Sequence, residues 1–112
     1  MSLTLYHNPR CSKSREALKL LQESGANPTV IEYLTSPPTV EELARILALL
    51  GLAPRELLRT KEAKEAGIDP TLPADQLIVA MVAHPAVIER PIAVGNGKAA
   101  VGRPPEKVLE VL

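Results

Sequence analysis

"LTLYHNPRCSKSREALKLL", residues 3–21, holds the change of period on which the fold turns. "LTLY" (3–6) alternates apolar and polar side chains, the signature of a strand with one buried face. It ends at "HNP", which is turn chemistry. From Ser12 the period lengthens. Ala17, Leu18, Leu20 and Leu21 form an apolar helical face, and Gly25 supplies the stop. "TVIEYL" (29–34), closed by "TSPP", reads as a second strand. Strand, helix and strand in about 35 residues predict a parallel βαβ unit with a right-handed crossover.

Further along, Thr39 and Glu42 stand at capping-box spacing ahead of "LARILALLGL". That helix carries Leu43, Ile46, Leu47 and Leu50 on one stripe and stops at Gly51. Pro54 opens a short helical segment bearing "RELLRT" (55–60). Residues 61–72 are charged, contain Gly67 and Pro70, and read as an irregular or partly helical surface connection. "ADQLIVAMVAHP" (74–85) is an apolar helix that halts before Pro85, with His84 as a cap or dipole partner. "AVIERPIAV" (86–94), "GNGK" (95–98) and "AAVG" (99–102) read as a β-hairpin. "RPPEKVLEVL" (103–112) predicts a terminal helix entered through prolines, burying Val108, Leu109 and Leu112. The order is β-α-β, a helical insertion at about 39–84, a β-hairpin and a helix. The reading is an α/β chain, one domain over 1–112, and a mixed sheet of thioredoxin-like type accommodates that order.

Composition narrows the function. Thirteen basic and thirteen acidic residues give zero formal net charge, which argues against nucleic acid as a partner. Two tyrosines are the only aromatics, so no stacking platform for single-stranded bases exists. A single cysteine rules out an internal disulfide and a cysteine-cluster metal site, and no metal is expected. No apolar run has the length of a bilayer span, and the N-terminus lacks a basic-then-apolar signal pattern. A cytoplasmic protein without membrane association is the expectation.

That single cysteine, Cys11, lies where strand gives way to helix. Unpaired backbone N–H groups and the positive end of the helix dipole meet there. Both favour thiolate, and the same N–H groups suit a tetrahedral oxyanion. Arg10, Lys13 and Arg15 add local positive charge, and His7 is placed to donate toward the sulfur if the loop folds back. A core cysteine normally sits among aliphatic residues, yet none lies within three positions of Cys11. The reading is therefore a reactive thiol. Ser14 stands where a C-x-x-C protein has its second cysteine, so a resolving thiol must come from another molecule. Arg59, Arg90 and Arg103 flank apolar segments. A lone arginine is usually a solvated surface group, but two of these precede proline. Pro91, at the start of a strand, is a candidate for a cis peptide bond beside the site.

"YHNPRCSKSR" (6–15) closely resembles the active-site segment of the glutaredoxin-coupled arsenate reductases (ArsC-type), which read Tyr-His-Asn-Pro-x-Cys followed by Ser and Arg. The resemblance continues in order through "PPTVEEL", "LLRTKE", "DQLI", "HPAVIERPI" and "GRPPEKVL". It implies a thioredoxin/glutaredoxin-like fold and an oxidoreductase that reduces arsenate, with Cys11 as nucleophile. It further implies oxyanion contacts from Arg59, Arg90 and Arg103, and thiol activation or support from His7, Ser14 and Arg15. Glutathione as co-substrate and glutaredoxin as partner are implied, with no bound cofactor. Arg10, Ser12 and Lys13 are more basic than the small residues usual beside that cysteine. The chain is similar to the short chromosomal branch, which lacks a C-terminal extension. Two other functions fit the fold: a glutathione-dependent thiol oxidoreductase with another oxyanion or mixed disulfide as substrate, and a non-enzymatic Spx-like regulator. The latter typically carries the C-x-x-C switch that Ser14 removes.

Overall fold

A computed structural model describes residues 3–112. The chain forms two compact units, one of residues 3–36 with Arg90–Leu112, the other of Pro37–Glu89.

The first unit is built on β1 (Leu3–His7), α1 (Ser12–Glu23), β2 (Thr29–Glu32), β3 (Ile92–Gly95) and β4 (Lys98–Val101). Strand order is β2-β1-β3-β4, with β1 parallel to β2 and antiparallel to β3, and β3 antiparallel to β4. This is the mixed, thioredoxin-like sheet that the element order accommodates and the resemblance implies. Tyr6 lies opposite both Ile31 and Ile92, which makes β1 a central strand. Leu5, Tyr6 and His7 are buried accordingly. β2 is shorter than "TVIEYL", because the Glu32 carbonyl accepts from Thr35 and Ser36 N–H and turns the chain away. The hairpin turns on two residues, Asn96 (φ 54°) and Gly97 (φ 69°), the left-handed pair that matches strand twist.

Two expectations need correction. The strand drawn through "AVIERPIAV" starts only at Ile92. Pro85–Val87 is a 3₁₀ turn, and Ile88 pairs with Leu58 in an isolated bridge. The run is apolar because it serves two partners in succession, which a hydrophobic pattern cannot distinguish from one strand. The terminal helix is 3₁₀ over Pro105–Val111, and its buried residues are Pro105, Val108 and Val111 rather than Val108, Leu109 and Leu112. Three residues per turn put every third side chain on one face, and the face drawn with the α period is displaced. Leu112 is left 48% exposed while Val111 is fully buried. Val108 and Val111 close a core with Leu5, Ala17, Leu21, Ala93 and Ala100.

The second unit contains α2 (Val40–Leu50), α3 (Thr60–Ala66) and α4 (Ala74–Ala83). Thr39 Oγ1 accepts from Glu42 N–H at 3.1 Å, and Glu42 Oε1 accepts from Thr39 N–H at 2.8 Å, the capping box read from sequence. Gly51 ends α2 at φ 68°. Leu43, Ile46 and Leu47 are buried, as are Leu77 and Met81 of α4. The connection at 61–72 is helical in its first half, as α3, and turns after Gly67. Among the described residues no helix is long and apolar enough to cross a membrane.

Candidate active site

Residues 8–11 carry the chain from β1 into α1, and hydrogen bonds fix nearly every step. Asn8 Oδ1 accepts from Arg10 N–H at 3.0 Å, an Asx turn before Pro9. The Asn8 carbonyl accepts from Cys11 N–H at 3.0 Å. Ser14, wholly buried in the first turn of α1, closes the loop from behind. Its Oγ accepts from Asn8 N–H at 3.0 Å and shares a 2.7 Å hydrogen bond with His7 Nδ1. The loop does fold back, but the His7 ring meets Ser14 rather than sulfur. Burial holds the His7 pKa below its ordinary value; Glu32 works the other way and Arg15 adds to the lowering. Its neutral form therefore extends further into acid than in free histidine.

This bracing leaves Cys11 as N-cap of α1, with extended backbone (φ −92°, ψ 123°) and a partly exposed thiol. Burial pushes the thiol pKa up. The Ser14 amide, the Arg90 guanidinium, the Lys13 amide and the Arg90 charge more than reverse it, and the thiol sits below the ordinary cysteine value. The amides act through the open helix end without reaching the geometry of a side-chain cap bond. Arg103 Nη2 also donates to Cys11 Sγ, at 3.8 Å. Its Nε donates to the Arg90 carbonyl at 2.9 Å. Two guanidinium groups from distant sequence thus converge on one sulfur. The Arg90–Pro91 and Arg103–Pro104 peptide bonds are both cis.

The basic residues close in sequence are disposed differently. Arg10, Lys13 and Arg15 are exposed, and Arg15 Nη1 donates to the Pro9 carbonyl at 2.9 Å. Arg59 belongs to the second unit. Its Nε donates to Glu62 at 2.8 Å and its Nη1 to Glu89 at 2.6 Å. Burial opposes the Arg59 charge, but these two carboxylates outweigh it and hold the guanidinium firmly protonated. The backbone supports the pair: Arg59 N–H donates to Val87 O at 2.7 Å and Glu89 N–H to Leu57 O at 2.8 Å. His84 is the exposed C-cap of α4. Among the described residues no group of three or more His, Cys, Asp or Glu is arranged to hold a metal ion.

Sequence reasoning overlooked three contributors. Asn8 carried a signal in its Asn-Pro step, and Glu62 in its position three residues after Arg59 at a helix start. Glu89 carried none, because it acts on a partner distant in sequence.

Chemically, a depressed thiol at a helix N-terminus, facing two cations, is equipped for nucleophilic attack on an oxyanion. A family model described as "ArsC family" matches residues 6–111. The chain is 51% identical to an arsenate reductase of Neisseria meningitidis serogroup A over 98% of this chain and 97% of that protein. It is 52% identical to the uncharacterized protein YfgD of Escherichia coli K12, over 96% and 94% of the respective chains. A solved structure of arsenate reductase from Vibrio cholerae superimposes with a TM-score of 0.93 at 53% identity, covering 100% of this chain and 98% of that one.

Proposed function

The chain belongs to the ArsC family, and from that footing we propose that it is an arsenate reductase that works through one cysteine. The observation that carries the reading is the convergence of the Arg90 and Arg103 guanidinium groups and the α1 amides on the Cys11 sulfur. Arg90 and Arg103 hold the oxyanion and offset its charge as the thiolate approaches. For Arg59, as third oxyanion contact, the support is its place in the matched "LLRTKE" block. His7, Ser14 and Arg15 support the thiol by keeping its loop in place; His7 acts through Ser14, and Arg15 through the Pro9 carbonyl.

The chemistry balances as follows. The Cys11 thiolate forms an S–As bond while an As–O bond breaks, and that oxygen leaves as water after protonation. Arsenic is still As(V). A glutathione thiolate attacks the Cys11 sulfur, and the S–As electron pair passes to arsenic, releasing arsenite as As(III). Cys11 is left in a mixed disulfide with glutathione. A glutaredoxin thiolate attacks the glutathione sulfur and restores the Cys11 thiolate. Because Cys11 is the only cysteine, these outside thiols must supply both electrons. Glutathione is thus a co-substrate and no bound cofactor takes part. The cytoplasm is the compartment that keeps such thiols reduced.

The test is arsenite production from arsenate with glutathione and glutaredoxin supplied, by the wild type and by Cys11→Ser. Turnover by the wild type alone is expected. Wild-type turnover no faster than the protein-free background overturns the proposal and leaves a thiol oxidoreductase of other substrate.

A further inference from the structure

Arg103 reaches Cys11 across 92 residues of sequence, and the stretch just before it decides where its guanidinium arrives. Gly102 N–H donates to the Pro91 carbonyl at 2.8 Å, and Arg103 N–H to the Val101 carbonyl at 2.9 Å. The backbone is thus pinned at both residues, and Arg103 Nε is tied to the Arg90 carbonyl beyond them. Gly102 is buried and outside the left-handed region, so conformational freedom does not explain a glycine here. Space does. A Cβ at Gly102 meets Pro91 Cγ at 2.6 Å and Val108 Cγ1 at 2.9 Å. Carbon atoms pack at about 3.5–4.0 Å, so both contacts are prohibitive. Neither neighbour has room to yield. Pro91 is a closed, fully buried ring, and Val108 is locked in the core against the sheet and α1.

We propose that Gly102 is a positioning residue of the anion site: its bare Cα lets the chain pass against Pro91 and Val108 closely enough to deliver the Arg103 guanidinium to the Cys11 sulfur. A methyl group there pushes the backbone off Pro91, stretches the Gly102–Pro91 hydrogen bond and withdraws Arg103. Misplacement by about 1 Å is enough to cost roughly 100-fold in rate at a reacting centre. The inference rests on the arsenate reductase reading for its substrate, but the thiol supplies a readout that needs no arsenate.

The experiment compares wild type, Gly102→Ala and Val108→Ala, each checked for folding by circular dichroism and thermal melting. Cys11 is titrated through the pH dependence of its alkylation by iodoacetamide, and arsenate turnover is measured in parallel. Gly102→Ala is expected to raise the thiol pKa by about one unit, as withdrawal of a nearby cation does. It should also lower turnover at least ~10-fold. Val108→Ala opens the same core without pushing residue 102, so it should melt earlier yet titrate like the wild type. If Gly102→Ala fails to fold, the double variant Gly102→Ala/Val108→Ala removes the 2.9 Å obstacle and carries the same expectation. A folded Gly102→Ala protein with a wild-type thiol titration overturns the proposal. So does a Val108→Ala protein whose thiol shifts as far. Failure of the wild type to reduce arsenate sinks the functional reading alone, because the thiol titration still decides the role of Gly102.

Discussion

Near Cys11 the guanidinium of Arg103 is anchored by a backbone carbonyl, whereas in the second unit the guanidinium of Arg59 is anchored by two carboxylates. Both arrangements stop an arginine from wandering, but they leave different fields behind. A carbonyl accepts a hydrogen bond without itself cancelling charge, and from that anchor Arg103 Nη2 donates to the sulfur at 3.8 Å. Glu62 and Glu89 fix Arg59 and also neutralise it, leaving its remaining N–H groups as oriented donors more than as a source of potential. The first device suits a thiolate that must be kept charged. The second suits recognition by hydrogen-bond direction.

Arginine replacements should break that comparison hardest. Leu at position 59, 90 or 103 is expected to cut arsenate turnover at least ~10-fold each, the scale of losing one oxyanion donor. Lys is the sharper probe. Arg103→Lys keeps the charge but has no Nε to donate to the Arg90 carbonyl, and a flexible ammonium does not reproduce a fixed fork. Its turnover should stay near that of Arg103→Leu. Full activity in Arg103→Lys would mean that charge alone matters at position 103. Unchanged activity in all three Leu variants would dismiss the arginine assignment altogether.

The bracing behind the sulfur comes next in size. Ser14→Ala removes the one buried oxygen that serves both Asn8 N–H and His7 Nδ1. Leaving a buried polar group without its partner costs about 1–3 kcal/mol. In a chain of this length that lowers the melting temperature by roughly 3–6 °C per kcal/mol. A melting curve matching the wild type would show the loop to be held by other means.

These contacts mark where the sequence was legible. The βαβ start, the Thr39–Glu42 box and the Asn96-Gly97 turn were readable because each depends on residues a few positions apart. Cys11 was readable for the same reason, standing between a strand period and a helical one. The 3₁₀ terminus misled because Leu109 and Leu112 fit an α period as well as Val108 and Val111 fit a period of three. Arg90 and Arg103 were visible as residues but not as neighbours of Cys11; only the resemblance placed them there. Gly102 is illegible in principle, because its role is to be small beside Pro91 and Val108.

Acidity separates the two halves of the loop by window: both contributions are lost as pH falls, but in different ranges. The His7 pKa is lowered on folding, so between that value and about 6.5 the unfolded chain binds more protons. Stability should therefore fall as pH drops below about 6.5, and His7→Gln should flatten that slope. The Cys11 thiol is also lowered, so stability gained from its thiolate is complete above the ordinary value of about 8.5 and is lost as pH falls toward the folded one. Cys11→Ser should remove this alkaline limb and leave the acidic one. Denaturant melts at stepped pH read both limbs, and a single limb that disappears with either variant would contradict the assignment.

The smallest effect belongs to the carboxylate clamp and tests it most directly. Glu89→Gln keeps an oxygen acceptor for Arg59 Nη1 but removes one negative charge. The two side chains are 23% and 28% exposed, so water screens the pair and the stability change should stay within about 1 kcal/mol. Function should move in the opposite direction to the arginine replacements. With its charge less cancelled, Arg59 should attract an oxyanion more strongly, and KM for arsenate should fall while kcat holds or declines slightly. Added salt should then raise KM more steeply than in the wild type, because less of the attraction is neutralised locally. An increase in KM would show that Glu89 acts mainly by holding Arg59 in place, and the clamp would differ from the carbonyl anchor in its chemistry but not in its purpose.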